Sequence, residues 1–297
     1  MDRKKTVEQC FNAIMNLYGA DEFKTTVRRL HTFLKNKEAY SLTDLSLPNY
    51  LWSAKRGGGV STLVKAFAEY LYAAKAIDFC GTVKYFEFKL EYIAPEFFFS
   101  ELARLDHTVS SLAGHNRYYK GLICINIDDE WLKFPERINE EHYAKLLKYI
   151  SDNKERMPAI FSVNTDDRDV IESVESVLSS YMRIESVSLR FPEIKELIEF
   201  MESRYMHDKG LSLSKSAKAL LSKSITEIVL GKNFNGFKSV AQLADDILYN
   251  IFAANLTGKK YITADMLSCY DKESNYVKRT KHCINTQKTI GFSGRDI

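Results

Sequence analysis

The chain has 297 residues, 45% of them hydrophobic, and its 42 basic against 39 acidic side chains leave a formal net charge of +3. That is enough apolar material for a sizeable core, while the near balance of charge carries no electrostatic footprint of nucleic acid or of an anionic membrane. No apolar run reaches the ~18 residues of a bilayer span and MDRKKTVEQC lacks the apolar stretch of a signal peptide, so no membrane partner and a cytoplasmic location are expected.

In chain order, VEQCFNAIMNLY and EFKTTVRRLHTFLKN space their apolar residues as helices do, so residues 1–48 are expected to be helical and to lead into a core. KNKEAYSLTDLSLPNY, between Lys35 and Tyr50, reads as the connection into a first strand, YLWS. Four further strands are expected: VKYFEFKL from Val83 to Leu90, GLICINIDD from Gly121 to Asp129, PAIFSVN from Pro158 to Asn164 and IESVSLRF from Ile184 to Phe191. The stretches between them, STLVKAFAEYLYAAK, PEFFFSELARLDHTVSSLAG, NEEHYAKLLKYISDN and RDVIESVESVLSSYM, have helical period. Strand and helix in alternation define an α/β fold over residues 49–191, a five-stranded parallel sheet with helices on both faces.

After Pro192 the strand signal stops. FPEIKELIEFMESRYMHDKG reads as one helix ending near Gly210, the serine-capped SLSKSAKALLSKSITEIVLG as a second, GFKSVAQLADDILYNIFAAN as a third and ITADMLSCY as a short fourth, which makes a helical domain of residues 192–272. Residues 273–297 are polar and patternless and read as a tail. Five cysteines (Cys10, Cys80, Cys124, Cys269, Cys283), odd in number and without a CxxC pair, fit reduced packing or surface thiols. The six histidines share no metal-ligand spacing, so no metal other than magnesium is expected.

The stretch SAKRGGGVSTLVKAFAEYL, from Ser53 to Leu71, has the outline of a phosphate-binding loop running into a helix. Such a loop needs glycines so that successive N–H groups converge on an anion, a helix N-terminus behind them, a lysine on the outer phosphates and a hydroxyl on magnesium. Gly57, Gly58 and Gly59 supply the turn, and Ser61 and Thr62 stand in register with the magnesium-binding hydroxyl. Ala54 replaces the first glycine of GxxxxGK[ST] and Val60 replaces its lysine. Lys55, just ahead of the glycines, is either a solvated loop residue or a lysine able to swing over the phosphates. Downstream, GLICINIDDEW is an apolar strand running into three acids, where Asp128 can hold a magnesium-bound water and Asp129 or Glu130 can polarise an attacking water. Asn164 closes PAIFSVN at the same sheet edge, where it can orient that water or serve as a turn residue. The aromatic run from Phe86 to Phe99 fits sheet-packed core and, less well, a loop gripping a threaded polypeptide.

This ordered set resembles the AAA+ ATPase family from about Tyr18 to Asn255. GGGVSTLVKAF is similar to its Walker A motif, INIDD to Walker B, SVN to the first sensor and LYGADEFKTTVRRL to the N-terminal element that lays the segment around Gly19 against adenine. YMRIE resembles the arginine-finger region, which implies that Arg183 reaches a neighbouring subunit's phosphates. NGFKSVAQL resembles the second sensor, with Lys238 where an arginine is usual, and the FP at Phe191 and Pro192 the passage from core to lid. The branch it resembles holds red-type Rubisco activases, sporulation ATPases and Clp-type unfoldases. The resemblance implies ATP or ADP with Mg²⁺ as ligands, self-association or a related AAA+ subunit as partner, and an unspecified protein client. With Val60 in place of lysine, it implies a nucleotide-binding regulatory or structural subunit of a remodelling assembly, with hydrolysis impaired or lost. The alternatives are an active remodelling ATPase in which Lys55 or Lys238 covers for Val60, and an interaction scaffold that binds no nucleotide.

Overall fold

The computed structural model describes residues 5–40, 47–55, 57–77, 85–90, 121–127, 141–153, 158–231, 234–253 and 260–268. Two compact units divide the chain, Met1–Phe191 and Pro192–Ile297.

In the first unit, helix α1 (Val7–Met15) begins at a reciprocal cap: Gln9 N–H donates to Thr6 Oγ1 (3.2 Å) and Thr6 N–H donates to Gln9 Oε1 (2.9 Å). Helix α2 covers Asp21–Ala39, so it runs through Lys35–Ala39, the start of the stretch expected as a connection. NKEA contains good helix formers and no Gly or Pro to stop it. Strand β1 (Asn49–Ala54) is buried along its whole length and leads through the glycine loop into α3 (Val60–Ala73). There follow β2 (Tyr85–Leu90), β3 (Leu122–Ile127), α4 (Glu141–Asp152), β4 (Ala159–Val163), α5 (Arg168–Ser179) and β5 (Ile184–Leu189).

The five strands form one sheet in the order β2-β3-β4-β1-β5, and every pairing is parallel. β1 lies inside the sheet between β4 and β5, and its alternate side chains enter the two cores on opposite faces. Tyr50, Trp52 and Ala54 pack with Phe23 of α2 and Leu63, Val64 and Phe67 of α3. Leu51 packs on the other face with Leu146 and Ile150 of α4 and Val174 and Leu178 of α5. Helices therefore cover both faces of a parallel sheet.

The second unit has its own core, built from Leu197, Met201, Leu221, Ile225, Leu243 and Ile247 among others. Helix α6 (Ile194–Met201) passes into a π-helical turn at Glu202–Met206 and a 3-10 turn at His207–Lys209, which ends at Gly210 with φ 67°. The expectation of one helix to Gly210 is thus corrected. The Glu202 carboxylate, within the π turn, accepts from Leu213 N–H (2.9 Å) and pairs with Lys218 (2.6 Å). Helix α7 (Lys215–Val229) is capped by Ser214, whose hydroxyl accepts from Ala217 N–H (3.1 Å). Helices α8 (Gly236–Ala253) and α9 (Ala264–Ser268) follow. The expectation that strands stop at Pro192 also fails, because β6 (Ser212–Leu213) pairs in parallel with β7 (Tyr261–Ile262). Two residues per strand are too few to show a period of two in the sequence. Among the described residues, no helix is long and apolar enough to cross a membrane.

Candidate phosphate-binding site

A parallel sheet presents its ligand at the carboxyl ends of its strands. Three of those ends lie level here, since Ser53 of β1 and Ile127 of β3 both pair with Val163 of β4. The residues that follow two of those positions form one edge: Lys55 and the glycine loop after β1 and Asn164 after β4.

The loop itself is closed by Gly58 N–H, which donates to Lys55 O (2.8 Å). Gly57 and Gly59 have φ of 87° and 84°, the left-handed region that glycine enters without strain. At Gly58 the constraint is space, because a Cβ there would lie 3.0 Å from Lys55 O and 3.1 Å from Ala54 Cβ. Gly59 is the N-cap of α3 and no side chain caps the helix. The N–H groups of its first turn, at Val60, Ser61 and Thr62, have no intrahelical acceptor. They carry the positive end of the helix dipole to the loop. The Ser61 and Thr62 side chains are exposed there.

Val60 stands where a phosphate loop has its lysine, and its side chain is half-buried against the cluster that holds Ala54, Leu63 and Val64. The lysine position is thus apolar and packed against the core. Lys55, which with Arg56 precedes the glycines in the sequence, reaches across to the segment after β4, where its Nζ lies 2.8 Å from Asp166 Oδ2. Both side chains of this pair are more than half exposed.

The α1–α2 turn borders the same region. Gly19 is buried with φ 63°, and the adjoining Ala20, at φ 54°, packs in the cluster with Ala54 and Leu63. Asp21 then opens α2 and pairs with Arg190, the residue after β5, at 3.0 Å and 3.2 Å from Nη2 and Nε. The structure therefore brings together Lys55, Gly57, Gly58, Gly59, Val60, Ser61, Thr62 and Asn164, with Gly19 in the neighbouring turn. Asn164 is exposed.

Arg183 is placed elsewhere. It precedes β5, whose first residue Ile184 pairs with Asn49, so it sits at the amino-terminal edge of the sheet. The strand length separates it from the loop, about 16 Å at the usual rise per residue. Lys238 is exposed in the first turn of α8, in the second unit. Asp128, Asp129 and Glu130 lie outside the described residues, as do Cys80, Cys269, Cys283 and the tail.

Sequence reasoning missed Asp166 and a polar pair just inside the sheet edge, where Ser162 Oγ donates to Asn126 Oδ1. The signal for Asp166 was the acid run TDDRD directly after the fourth strand, which went unread because nothing in the sequence places it beside Lys55. Buried polar groups of the helical layer are satisfied rather than set for metal binding. His31 accepts or donates at Nδ1 with the Tyr70 hydroxyl (3.1 Å) and stacks on Phe11 (4.3 Å between ring centroids). Among the described residues no cluster of His, Cys, Asp and Glu is arranged to hold a metal ion.

The fold is α/β, a parallel five-stranded sheet with helices on both faces, of P-loop NTPase-like architecture. Among solved structures the chain is similar to a point mutant of RuvB from Thermotoga maritima, with a TM-score of 0.51 and 14% sequence identity over 95% of this chain and 73% of that one. At that identity the likeness is one of fold. No protein-family model and no curated protein matches the sequence.

Proposed function

We propose that the chain binds ATP or ADP through the Gly57–Gly59 loop, hydrolyses it weakly or not at all, and acts as a regulatory or structural subunit in an oligomeric AAA+-type assembly. One observation carries this reading: an uncapped helix N-terminus opens from a glycine loop at the carboxyl edge of β1, while the lysine position is filled by an apolar, half-buried Val60. The donor set fits a phosphate. Backbone N–H groups and the helix dipole act on an anion without a side-chain cation, and the Ser61 hydroxyl with Asp128 supplies oxygen ligands of the kind Mg²⁺ takes. Bound Mg²⁺ would neutralise phosphate charge there; the chain's own part is to hold and orient the phosphates.

Losing one charge-assisted contact costs about 1.5–3 kcal/mol, which weakens binding without abolishing it. Turnover loses more, because the missing cation would act where charge is redistributed in the transition state. Arg183, exposed at the far edge of the sheet, lies out of reach of its own loop, which supports a role on a second subunit.

A titration with a fluorescent ATP analogue, with and without Mg²⁺, tests the reading together with a phosphate-release assay. Expected are measurable binding, negligible turnover, and loss of binding in Gly58→Ala, whose Cβ meets Lys55 O and the Ala54 side chain and costs about 1–3 kcal/mol of overpacking. Absence of binding at millimolar nucleotide would overturn it. Light scattering with nucleotide present is expected to show an assembly, and a strict monomer at high concentration would remove the oligomeric part.

A further inference from the structure

On the reading of the Gly57–Gly59 loop as a phosphate site, two cations, Lys55 and Arg56, stand just ahead of the glycines while the usual lysine position holds Val60. Three acids follow β4 within TDDRD, and two of them are committed to α5. Asp167 is the N-cap, its Oδ1 accepting from Asp169 N–H (3.1 Å) and Val170 N–H (3.5 Å). Asp169 lies in the first turn, where a negative charge complements the dipole. Asp166 caps nothing. It turns across the sheet edge to Lys55 Nζ at 2.8 Å, while the next cation along, Arg168, is held by Glu172 at 2.7 Å.

Lys55 is itself part of the loop, because its carbonyl receives the Gly58 N–H that closes the turn. Its ammonium is thus tethered to the loop's backbone and is held by Asp166 on the Asn164 side, where β4 ends next to β1. We propose that Asp166 is a built-in competitor for Lys55: the carboxylate holds the ammonium off the phosphate site, and a polyphosphate ligand exchanges the Lys55–Asp166 pair for a Lys55–phosphate pair. Asp166 thereby sets how much negative charge a ligand must bring before the loop's substitute cation engages. The pair is exposed and correspondingly weak, so the exchange is easily reversed, and it leaves Val60 free to serve the core.

The test is a double-mutant cycle on Lys55 and Asp166, read as the dissociation constants of fluorescent Mg-ATP and Mg-ADP analogues at low ionic strength, where exposed pairs are least screened. Asp166→Asn, which keeps the shape and removes the charge, is expected to tighten triphosphate binding about two- to fivefold, the range spanned by exposed ion pairs. Lys55→Ala is expected to weaken it about tenfold. In the Lys55→Ala background, Asp166→Asn is expected to change nothing. Both side chains are exposed, so unchanged circular dichroism and melting midpoints should certify the fold. Equal tightening by Asp166→Asn with and without Lys55 would show that Asp166 merely repels phosphate and would overturn the inference. Intact binding indifferent to Asp166→Asn would overturn it alone, whereas absence of binding by wild type and Asp166→Asn alike would sink the phosphate site and the inference with it.

Discussion

The side chain of Val60 rests half-buried against Ala54, Leu63 and Val64 at the first position of α3. A lysine there would keep its methylene stem on the same apolar surface and carry its ammonium outward past the glycines, since long cationic side chains bury their stems and solvate their heads. Val60→Lys should therefore cost little stability and restore one charge-assisted phosphate contact, about 1.5–3 kcal/mol or roughly a ten- to hundredfold gain in ATP affinity. Titration of the variant beside the wild type checks this, and an unchanged affinity would mean that phosphates do not sit at the loop. The glycines, Val60 and Ser61 were legible in the sequence because a phosphate loop is a local motif, set by spacing over a few residues. The partnership of Lys55 with Asp166 was not. Those residues are far apart in the chain and meet only because β4 inserts beside β1, an order that strand–helix alternation leaves open.

Two aromatic joints hold helices α1, α2 and α3, the first of them engaging the sheet as well, and each gives a separate measurement. Phe23 of α2 is fully buried, edge-on to Trp52 of β1 (5.1 Å, 70°) and to Phe67 of α3 (5.8 Å, 73°). Phe23→Ala removes both contacts and leaves a cavity, so a loss of about 3–5 kcal/mol is expected in chemical denaturation of the first unit. The second joint is His31 of α2, which meets Phe11 and Glu8 of α1, Tyr70 of α3 and, one turn along, Lys35. Burial holds its pKa below the ordinary histidine value, helped by Lys35 and opposed by the Glu8 carboxylate. Burial also pushes the Tyr70 hydroxyl well above its usual range, so Tyr70 stays protonated beside Nδ1. A histidine with a lowered folded pKa binds fewer protons folded than unfolded. Its contribution is fully present above about pH 6.5, the unfolded value, and is lost as pH falls from there through the lower folded value. Unfolding free energies at pH 5 to 8 should show that slope, and His31→Asn should flatten it. The expected helix PEFFFSELARLDHTVSSLAG and most of the aromatic run from Phe86 to Phe99 lie outside the described residues; among the described residues all five main strands and the long helices were legible from periodicity. The π turn at Glu202–Met206 was not, because its cause is tertiary: the Glu202 carboxylate is drawn in to Leu213 N–H and Lys218.

At the scale of the molecule, the strand order β2-β3-β4-β1-β5 gathers Lys55, the glycines and Asn164 at one sheet edge and leaves Arg183 at the other. In the proposed assembly that separation would set the loop of one subunit against Arg183 of the next, a head-to-tail contact of the kind that closes into rings. The two units also keep separate cores, with the sheet clusters in Met1–Phe191 and the helical cluster in Pro192–Ile297. Both tryptophans of the chain, Trp52 and Trp131, fall in the first unit, so tryptophan fluorescence reports that unit while far-ultraviolet circular dichroism reports both. Leu243 is buried in the helical cluster beside Leu197 and Leu221. Leu243→Ala should cost the second unit about 2–5 kcal/mol. Because no residue of the sheet clusters belongs to the helical one, the loss should appear as an earlier circular dichroism transition in urea, with the tryptophan transition left near its wild-type midpoint. Two probes that shift together by the same amount would show instead that the units unfold as one cooperative body.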